Sequence, residues 1–438
     1  MTDLLAARSQ MAVSLGFHIL FAVAGMAMPL LMVIAELRWL RTGDPVYSEL
    51  AKRWAKGTAI LFAVGAVSGT VLSFELGLLW PTFMEHAGPL IGMPFSLEGF
   101  AFFLEAIFLG LWLYGWDRLS PVVHWLTGVM VAISGAAGGV LVMAVNAWMN
   151  TPTGFRIEDG ALVDVDPWRA MFSPAFFTQA SHMLVAAYTS VAFLLVGIHA
   201  HRLRRRPNSR FHRKAVGVGL VLAVVGAPLQ VLTGDLSAKH IAQHQPAKLA
   251  AAEGLFETTR GASLAIGGWP DEDERRLRGA IEIPKALSIL AFADPDAEVQ
   301  GLDAVPREDW PPVPIVHVAF QIMVGCGMIL LAVAGWVVVQ WIRRRPPEDD
   351  RILLRVAPWV APLGLVAIEA GWVVTEVGRQ PWIIRGVMRV ADAVTPMPGL
   401  AIPFAAMTLL YVVLGVVVIV MLRAHVINVD TEDEEPQK

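Results

Sequence analysis

The sequence predicts an all-α, polytopic membrane protein of about nine transmembrane helices, with its N-terminus outside and its C-terminus in the cytoplasm. Three observations carry this. Of 438 residues, 55% are hydrophobic and only 16% are charged, which lies outside the range of soluble domains. Nine segments are apolar over the roughly 20 residues that a hydrocarbon core of about 30 Å requires: near 11–36, 57–80, 95–115, 122–148, 178–201, 214–234, 313–341, 352–377 and 400–423. Basic residues gather in alternate loops, and their placement orients the chain.

Taken in order, the first apolar run, after Met11, is too long for a signal-peptide core and follows no small-residue cleavage site, so it stays as a helix. Arg38, Arg41, Lys52, Arg53 and Lys56 follow it. Seven Arg and Lys lie between Arg202 and Lys214, and Arg343, Arg344, Arg345 and Arg351 follow the seventh segment. In a nine-helix chain these loops share one side, which the positive-inside rule makes cytoplasmic. The acidic stretch Asp430 to Glu435 then reads as a solvated cytoplasmic end. Helices 1–6 fall in 1–234, a long outer connection in 235–312, and helices 7–9 with the tail in 313–438. A connection of that length is usually functional. Within it Lys239 to Glu257 reads as helix, Pro270 to Arg278 as turn and Asp294 to Pro312 as irregular chain. The single cysteine, Cys326, excludes an intramolecular disulfide and an all-cysteine iron–sulfur site, and no internal repeat is visible.

Several residues in these apolar segments need a reason to be there. In GWVVTEVGRQPW, Gly371 to Trp382, an acid and a base end a span in which charge costs at least a few kcal/mol. On a helix ended by Pro381, Trp372, Glu376 and Arg379 at i, i+4 and i+7 share one face; a helix-end ion pair is the plainer account of them. In LEGFAFFLEAIFL, Glu98 and Glu105 project from one stripe about 10 Å apart along the axis. Each must be protonated, paired or near a cation, unless both merely bond neighbouring helices. His18 in LGFHILF, His182 in QASHMLVAAY and Met323 in FQIMVGCGM are of types that hold haem iron, though each alone is as well explained by packing. In the predicted topology His18, Glu98, His182, Met323 and Glu376 all fall in the outer half of the membrane, where one cluster of cofactors can assemble.

GRQPW preceded by EAGW and a glutamate, with the other motifs in the same order along nearly the whole chain, resembles subunit I of the cytochrome bd-type quinol oxidases, including their cyanide-insensitive branch. The resemblance implies that His182 and Met323 are the axial ligands of a low-spin haem b558. It implies that His18 and Glu376 serve the two high-spin haems, b595 and d, with haem b in place of haem d in some branches; which haem takes which ligand stays open. It makes Glu98 a residue at the high-spin pair with Arg379 beside Glu376, Glu105 and Asn146 (in VNAWMN) proton-path residues, and Trp372 a side chain between haems. In KLAAAEGLFE, Lys248 and Glu253, with the earlier Asp235, match the quinol site, although Lys and Glu on a surface helix are ordinarily just solvated. Gln321 departs from the pattern, standing where an arginine is common, which implies a lower b558 potential. The implied activity is a quinol:oxygen oxidoreductase of the bacterial cytoplasmic (inner) membrane. It oxidises quinol at the outer face and reduces O2 to water through three haems, generating proton motive force. Subunit II is its expected partner, a small single-helix subunit a further candidate, and no nucleic acid is expected. The competing functions are an ion-coupled transporter, which would show a repeat or matching broken helices, and a haem b electron relay, which would not need His18 with Glu376.

Overall fold

The computed structural model describes residues 1–159 and 161–427; the acidic stretch Asp430 to Glu435 lies outside them. Helix α1 (Asp3–Thr42) opens on Thr2, whose hydroxyl accepts the Leu5 amide, and closes at Gly43 with φ 70°, a left-handed cap that glycine adopts without strain. Asp44 caps α2 (Pro45–Leu79), and α3 (Pro81–Tyr114) and α4 (Pro121–Asn150) follow. Each of these three starts on proline, where no intrahelical N–H is required. After the short α5 (Pro167–Met171) come α6 (Phe176–Arg205), α7 (Arg210–His244), α8 (Pro246–Glu253) and α9 (Ala286–Phe292). The chain continues with α10 (Val313–Ile342), then α11 (Arg351–Val360) and α12 (Leu363–Val377), which together form one span. Short α13 (Val390–Ala393) and long α14 (Ala401–Leu422) complete it. Among the described residues nine spans are long and apolar enough to cross a membrane, the number predicted.

Four differences from the sequence prediction bear on the site residues. Helix α3 begins at Pro81 rather than near 95 because Pro89 and Pro94 are accommodated inside it, so Glu98 sits mid-helix. Helix α7 runs ten residues beyond 234, to His244; Asp235 therefore lies in that helix, and the long connection starts at Gln245. A joint at Ala361 and Pro362 divides the eighth span. Helix α12 stops at Val377, before Pro381, and leaves Arg379 in the following turn. The connection from 245 to 312 is ordered: three antiparallel strand pairs join Thr259–Arg260 to Glu298–Val299, Leu264–Ile266 to Ile281–Ile283 and Trp269–Asp271 to Arg276–Arg278.

The long helices form two groups. Helices α1 to α4 pack in a ring, α6, α7, α10 and α12 pack together, α6 also lies against α1 and α4, and α14 lies on α1 and α2. At one end of the bundle the connections knit together: Thr395 N–H donates to the Leu79 carbonyl (2.9 Å), Leu400 N–H to Asp3 (2.9 Å) and Arg385 N–H to the Met149 carbonyl (3.1 Å). Basic residues crowd the other end, where Arg210 and Lys214 pair with Asp44, and Arg213 with Asp349. Just inside that basic end a buried network ties α1, α3 and α4. Glu36 accepts from His124 Nδ1 (2.6 Å) and Trp112 Nε1 (2.8 Å), while His124 Nε2 meets the Trp112 carbonyl (2.8 Å). All three side chains are buried, so the pair is satisfied where water cannot substitute for it.

Candidate active site

A cavity of about 700 Å³ lies within the α1–α4 group and reaches α6 and α12, a size within the range of about 300–1,000 Å³ that cofactor sites occupy. Seven of the residues singled out in the sequence line it: His18, Glu98, Glu105, Asn146, Trp372, Glu376 and Arg379. They come from α1, α3, α4 and the end of α12, separated in sequence by up to about 360 positions and gathered by the bundle.

On α1, the His18 ring is seated by glycine and oriented by serine. A Cβ on Gly69 would stand 2.9 Å from His18 Cε1, so only glycine admits the ring there. Ser68 Oγ lies 2.9 Å from His18 Nδ1 and donates its own proton to a carbonyl of the preceding turn, Val64 at 2.9 Å. The hydroxyl must then accept from Nδ1–H, which leaves Nε2 as the lone-pair nitrogen, the tautomer a metal ligand needs. Across the cavity, Glu376 occupies the last turn of α12, where the helix dipole disfavours a carboxylate. Two donors offset this: Arg379 Nη2 bonds Oε2 (2.6 Å) and Asn146 Nδ2 bonds Oε1. A carboxylate has about four lone-pair sites, so ligation remains open to it. Nε and Nη1 of Arg379 are buried without a partner. Glu105 is buried with Oε1 unpartnered, and a Cβ on Gly135 would come within 3.1 Å of that oxygen. Gly138, which also lines the cavity, has nothing within 4 Å of the place its Cβ would take. A histidine lone pair and a held carboxylate on opposite helices, beside open space and orphaned donors, form a donor set that fits haem iron.

His182 and Met323 do not line this cavity. They lie on α6 and α10 of the second group, whose shared neighbours are α7 and α12. His182 Nδ1 is 3.3 Å from the Thr233 hydroxyl, which donates to the Leu229 carbonyl (3.0 Å), and 3.2 Å from Gln230 Nε2. Gln230 Nε2 stands 3.1 Å from His182 Nε2, and ligation through that nitrogen requires the amide to turn aside. A Cβ on Gly371 would approach Met323 Sδ to 3.1 Å, so the missing side chain lets the thioether rest on α12. The next residues along, Trp372 and Met183, face the cavity instead. Helices α6 and α12 thus form the partition between the two groups, with one predicted set of ligands on each side.

In the long connection, Lys248 and Glu253 share α8, and both are buried, at 4% and 5% exposure, which excludes a solvated surface helix. Lys248 Nζ donates to Asn150 Oδ1 and to the Thr375 carbonyl (3.2 Å), while Gly378 accommodates its stem, where a Cβ would meet Cγ at 3.0 Å. Burial pushes the Lys248 amine well below the usual lysine range, Arg379 and Arg385 add to this, and Glu376 opposes it. Burial alone pushes the Glu253 carboxyl up to about 8. The α8 terminus is set by Gly254 at φ 68° and by His317, whose Nδ1 lies 2.9 Å from the Ala252 carbonyl. Asp235 is apart from these two, ion-paired with Lys239 one turn along α7 (2.6 Å). Gln321 clamps the connection to α10, accepting from the Gly267 amide (2.9 Å) and donating to the Ala265 carbonyl (3.0 Å).

Other buried or half-buried polar residues were not singled out from the sequence. Glu75 accepts from Gln10 (2.8 Å) between α1 and α2, Glu369 approaches α1 at Gly16, where a Cβ would lie 3.3 Å from its Oε2, and Asn150 joins Lys248 to Asn146. Glutamate in an apolar segment was a usable signal for the first two. Asn150, at a helix end, gave none.

The fold and site together define a multi-pass helical membrane protein with a cavity whose donor set suits haem iron. Residues 6–429 match the family model of the cytochrome bd terminal oxidase subunit I, and the chain belongs to that family. It is 40% identical, over 99% of its length and all of the relative's, to the putative cytochrome bd menaquinol oxidase subunit I of Bacillus subtilis. It is 30% identical to the cytochrome bd-II ubiquinol oxidase subunit 1 of Escherichia coli over 87% of each chain. The bd oxidase structure from Geobacillus thermodenitrificans superposes with a TM-score of 0.91 at 41% identity, covering 97% of this chain and 99% of that one.

Proposed function

We propose that this chain is the haem-bearing subunit of a quinol:oxygen oxidoreductase, working with subunit II in the bacterial cytoplasmic membrane, with a small single-helix subunit as a further partner. The observation that carries this reading is the cavity, where His18 and Glu376 face common space beside Glu98, Glu105 and Arg379. On this reading His182 and Met323 hold haem b558, and His18 and Glu376 hold the high-spin pair, b595 with d or with a second haem b. When bound, haem supplies one-electron transfer and, where a coordination position stays open, the place at which O2 binds.

The chain's own residues do the rest. Lys248 orients the quinol oxygen at α8 and Glu253 accepts its proton, a task that a carboxyl displaced toward neutral pH performs well. Asn146 and Arg379 hold the Glu376 side chain in place, Glu105 relays protons at the cavity while Glu98 stands beside the high-spin pair, and the Trp372 ring closes the partition against water. With basic loops inside, α8 faces outward, protons leave on the outer side, and those consumed in forming water enter from the basic end, which separates charge across the membrane. Residues 1–234 then carry His18, Glu98 and Glu105 of the oxygen site and His182 of the b558 site, the connection carries the quinol site, and 313–438 carry Met323 and Glu376.

An absorption spectrum of the purified oxidase tests this. Low-spin haem with a CO-reactive high-spin haem is expected. Low-spin haem alone favours an electron relay, and no haem at all favours a transporter.

A further inference from the structure

We propose that Asn150 is a positioning residue that couples Lys248 on α8 to Glu376 at the cavity; the proposal rests on the roles given above to those two side chains. Lys248 Nζ donates to Asn150 Oδ1. Asn150 Nδ2 donates to Asn146 Oδ1 (3.1 Å) and to the Asn146 carbonyl (3.0 Å). Asn146 Nδ2 donates to Glu376 Oε1, and Glu376 Oε2 accepts from Arg379 (2.6 Å). Asn146 and Asn150 stand one turn apart at the end of α4, so a single helix stripe carries both amides.

The direction of this chain is set from its ends. A carboxylate only accepts, so Asn146 must offer its NH2 to Glu376 and keep Oδ1 toward Asn150. Asn150 must in turn offer its NH2 and keep its own oxygen for Lys248. Neither amide can turn over without losing a bond on each side. Water cannot make good the loss, because Asn150 and Asn146 are 0% and 6% exposed and Lys248 is 4% exposed. Lys248 also holds the carbonyl of Thr375, the neighbour of Glu376. A quinol that draws Nζ away from Asn150 therefore frees the first amide, and the change reaches the carboxylate through the second. Amides do not titrate in this range, so the link passes orientation and charge rather than a proton.

The test uses the assembled oxidase with Asn150→Leu, which keeps the size and removes both polar atoms, and with Lys248→Met. Steady-state oxygen consumption gives the KM for quinol, the CO difference spectrum reports the high-spin haem, and hydrogen exchange follows residues 246–253. Losing one buried bond to the lysine should raise KM about tenfold in Asn150→Leu, with kcat changed less. The CO spectrum should shift, the low-spin band should stay, and exchange over α8 should quicken. Lys248→Met should act in the same direction, and the double variant should be no worse than the stronger single by more than about twofold, as for residues in one network. A wild-type KM and an unshifted CO spectrum in Asn150→Leu overturn the link. An unchanged KM in Lys248→Met overturns the quinol role of the lysine instead, whatever Asn150→Leu shows. If Asn150→Leu does not assemble, Asn150→Ser, too short to bridge, is read by the same criteria.

Discussion

Replacing Glu253 by glutamine should flatten the pH dependence of quinol oxidation, and the size of the effect follows from where this carboxyl sits. It is 5% exposed with Oε2 unpartnered, and burial raises it from an ordinary 4.5 to about 8. If its carboxylate receives the quinol proton, only the ionised fraction is active: about 1% at pH 6 and about half at pH 8. Then kcat/KM should climb about fifty-fold between those values and level off above pH 8. Glu253→Gln should lie at or below the acid-side rate throughout, with no inflection. The same displacement has a stability sign. An unfolded carboxyl ionises near 4.5 while the folded one stays neutral to about 8, so this group's stabilisation is full below 4.5 and is lost as pH rises through 8. At about 1.4 kcal/mol per unit this loss comes to about 5 kcal/mol, which the glutamine variant avoids. Oxygen-electrode assays with saturating and limiting quinol from pH 5.5 to 9, paired with thermal inactivation at pH 5 and pH 9, read both effects. An inflection near pH 8 that survives in Glu253→Gln would refute the reasoning.

Two further outcomes follow. His182→Ala and Met323→Leu should each abolish the low-spin α band and quinol-driven reduction while the protein still inserts, because neither replacement can ligate iron; an unchanged band in both removes the assignment. His124→Leu removes one of the two donors to buried Glu36 and leaves Trp112 Nε1 as the other, which should cost about 1–3 kcal/mol and appear as a lower melting temperature in detergent with unshifted haem bands; a wild-type melting temperature would mean that the network contributes little.

Much of this molecule was legible because burial in hydrocarbon makes charge conspicuous. Glu98, Glu105 and Glu376 stand out in apolar segments, and the bundle does bring them to one cavity. The spans were legible by length and apolar composition. Helix limits were less so: Pro89 and Pro94 read as breakers, yet both sit inside α3, and a helical stripe through Arg379 assumed a helix that stops at Val377. The surroundings of Lys248 could not be read at all. KLAAAE has the composition of an exposed helix, and the groups that bury the lysine, Asn150 and Thr375, lie 98 and 127 positions away. Pairing of that kind is decided by tertiary packing, which local pattern does not encode. The same holds for Gln321, whose amide grips the strands of the long connection.

The central claim is that Glu376 ligates the iron of one of the two high-spin haems, and Glu376→Gln tests it most directly, since it keeps the size of the side chain and replaces the carboxyl that Arg379 and Asn146 hold in place. The measurement is the high-spin haem content and CO binding of the purified variant, read beside oxygen consumption. The account predicts that one high-spin haem is lost or no longer binds CO and that oxygen reduction falls steeply, while the low-spin haem stays reducible by quinol. A full complement of CO-reactive high-spin haem with normal oxygen consumption would contradict it and leave Glu376 and Arg379 as an ion pair at the end of a helix.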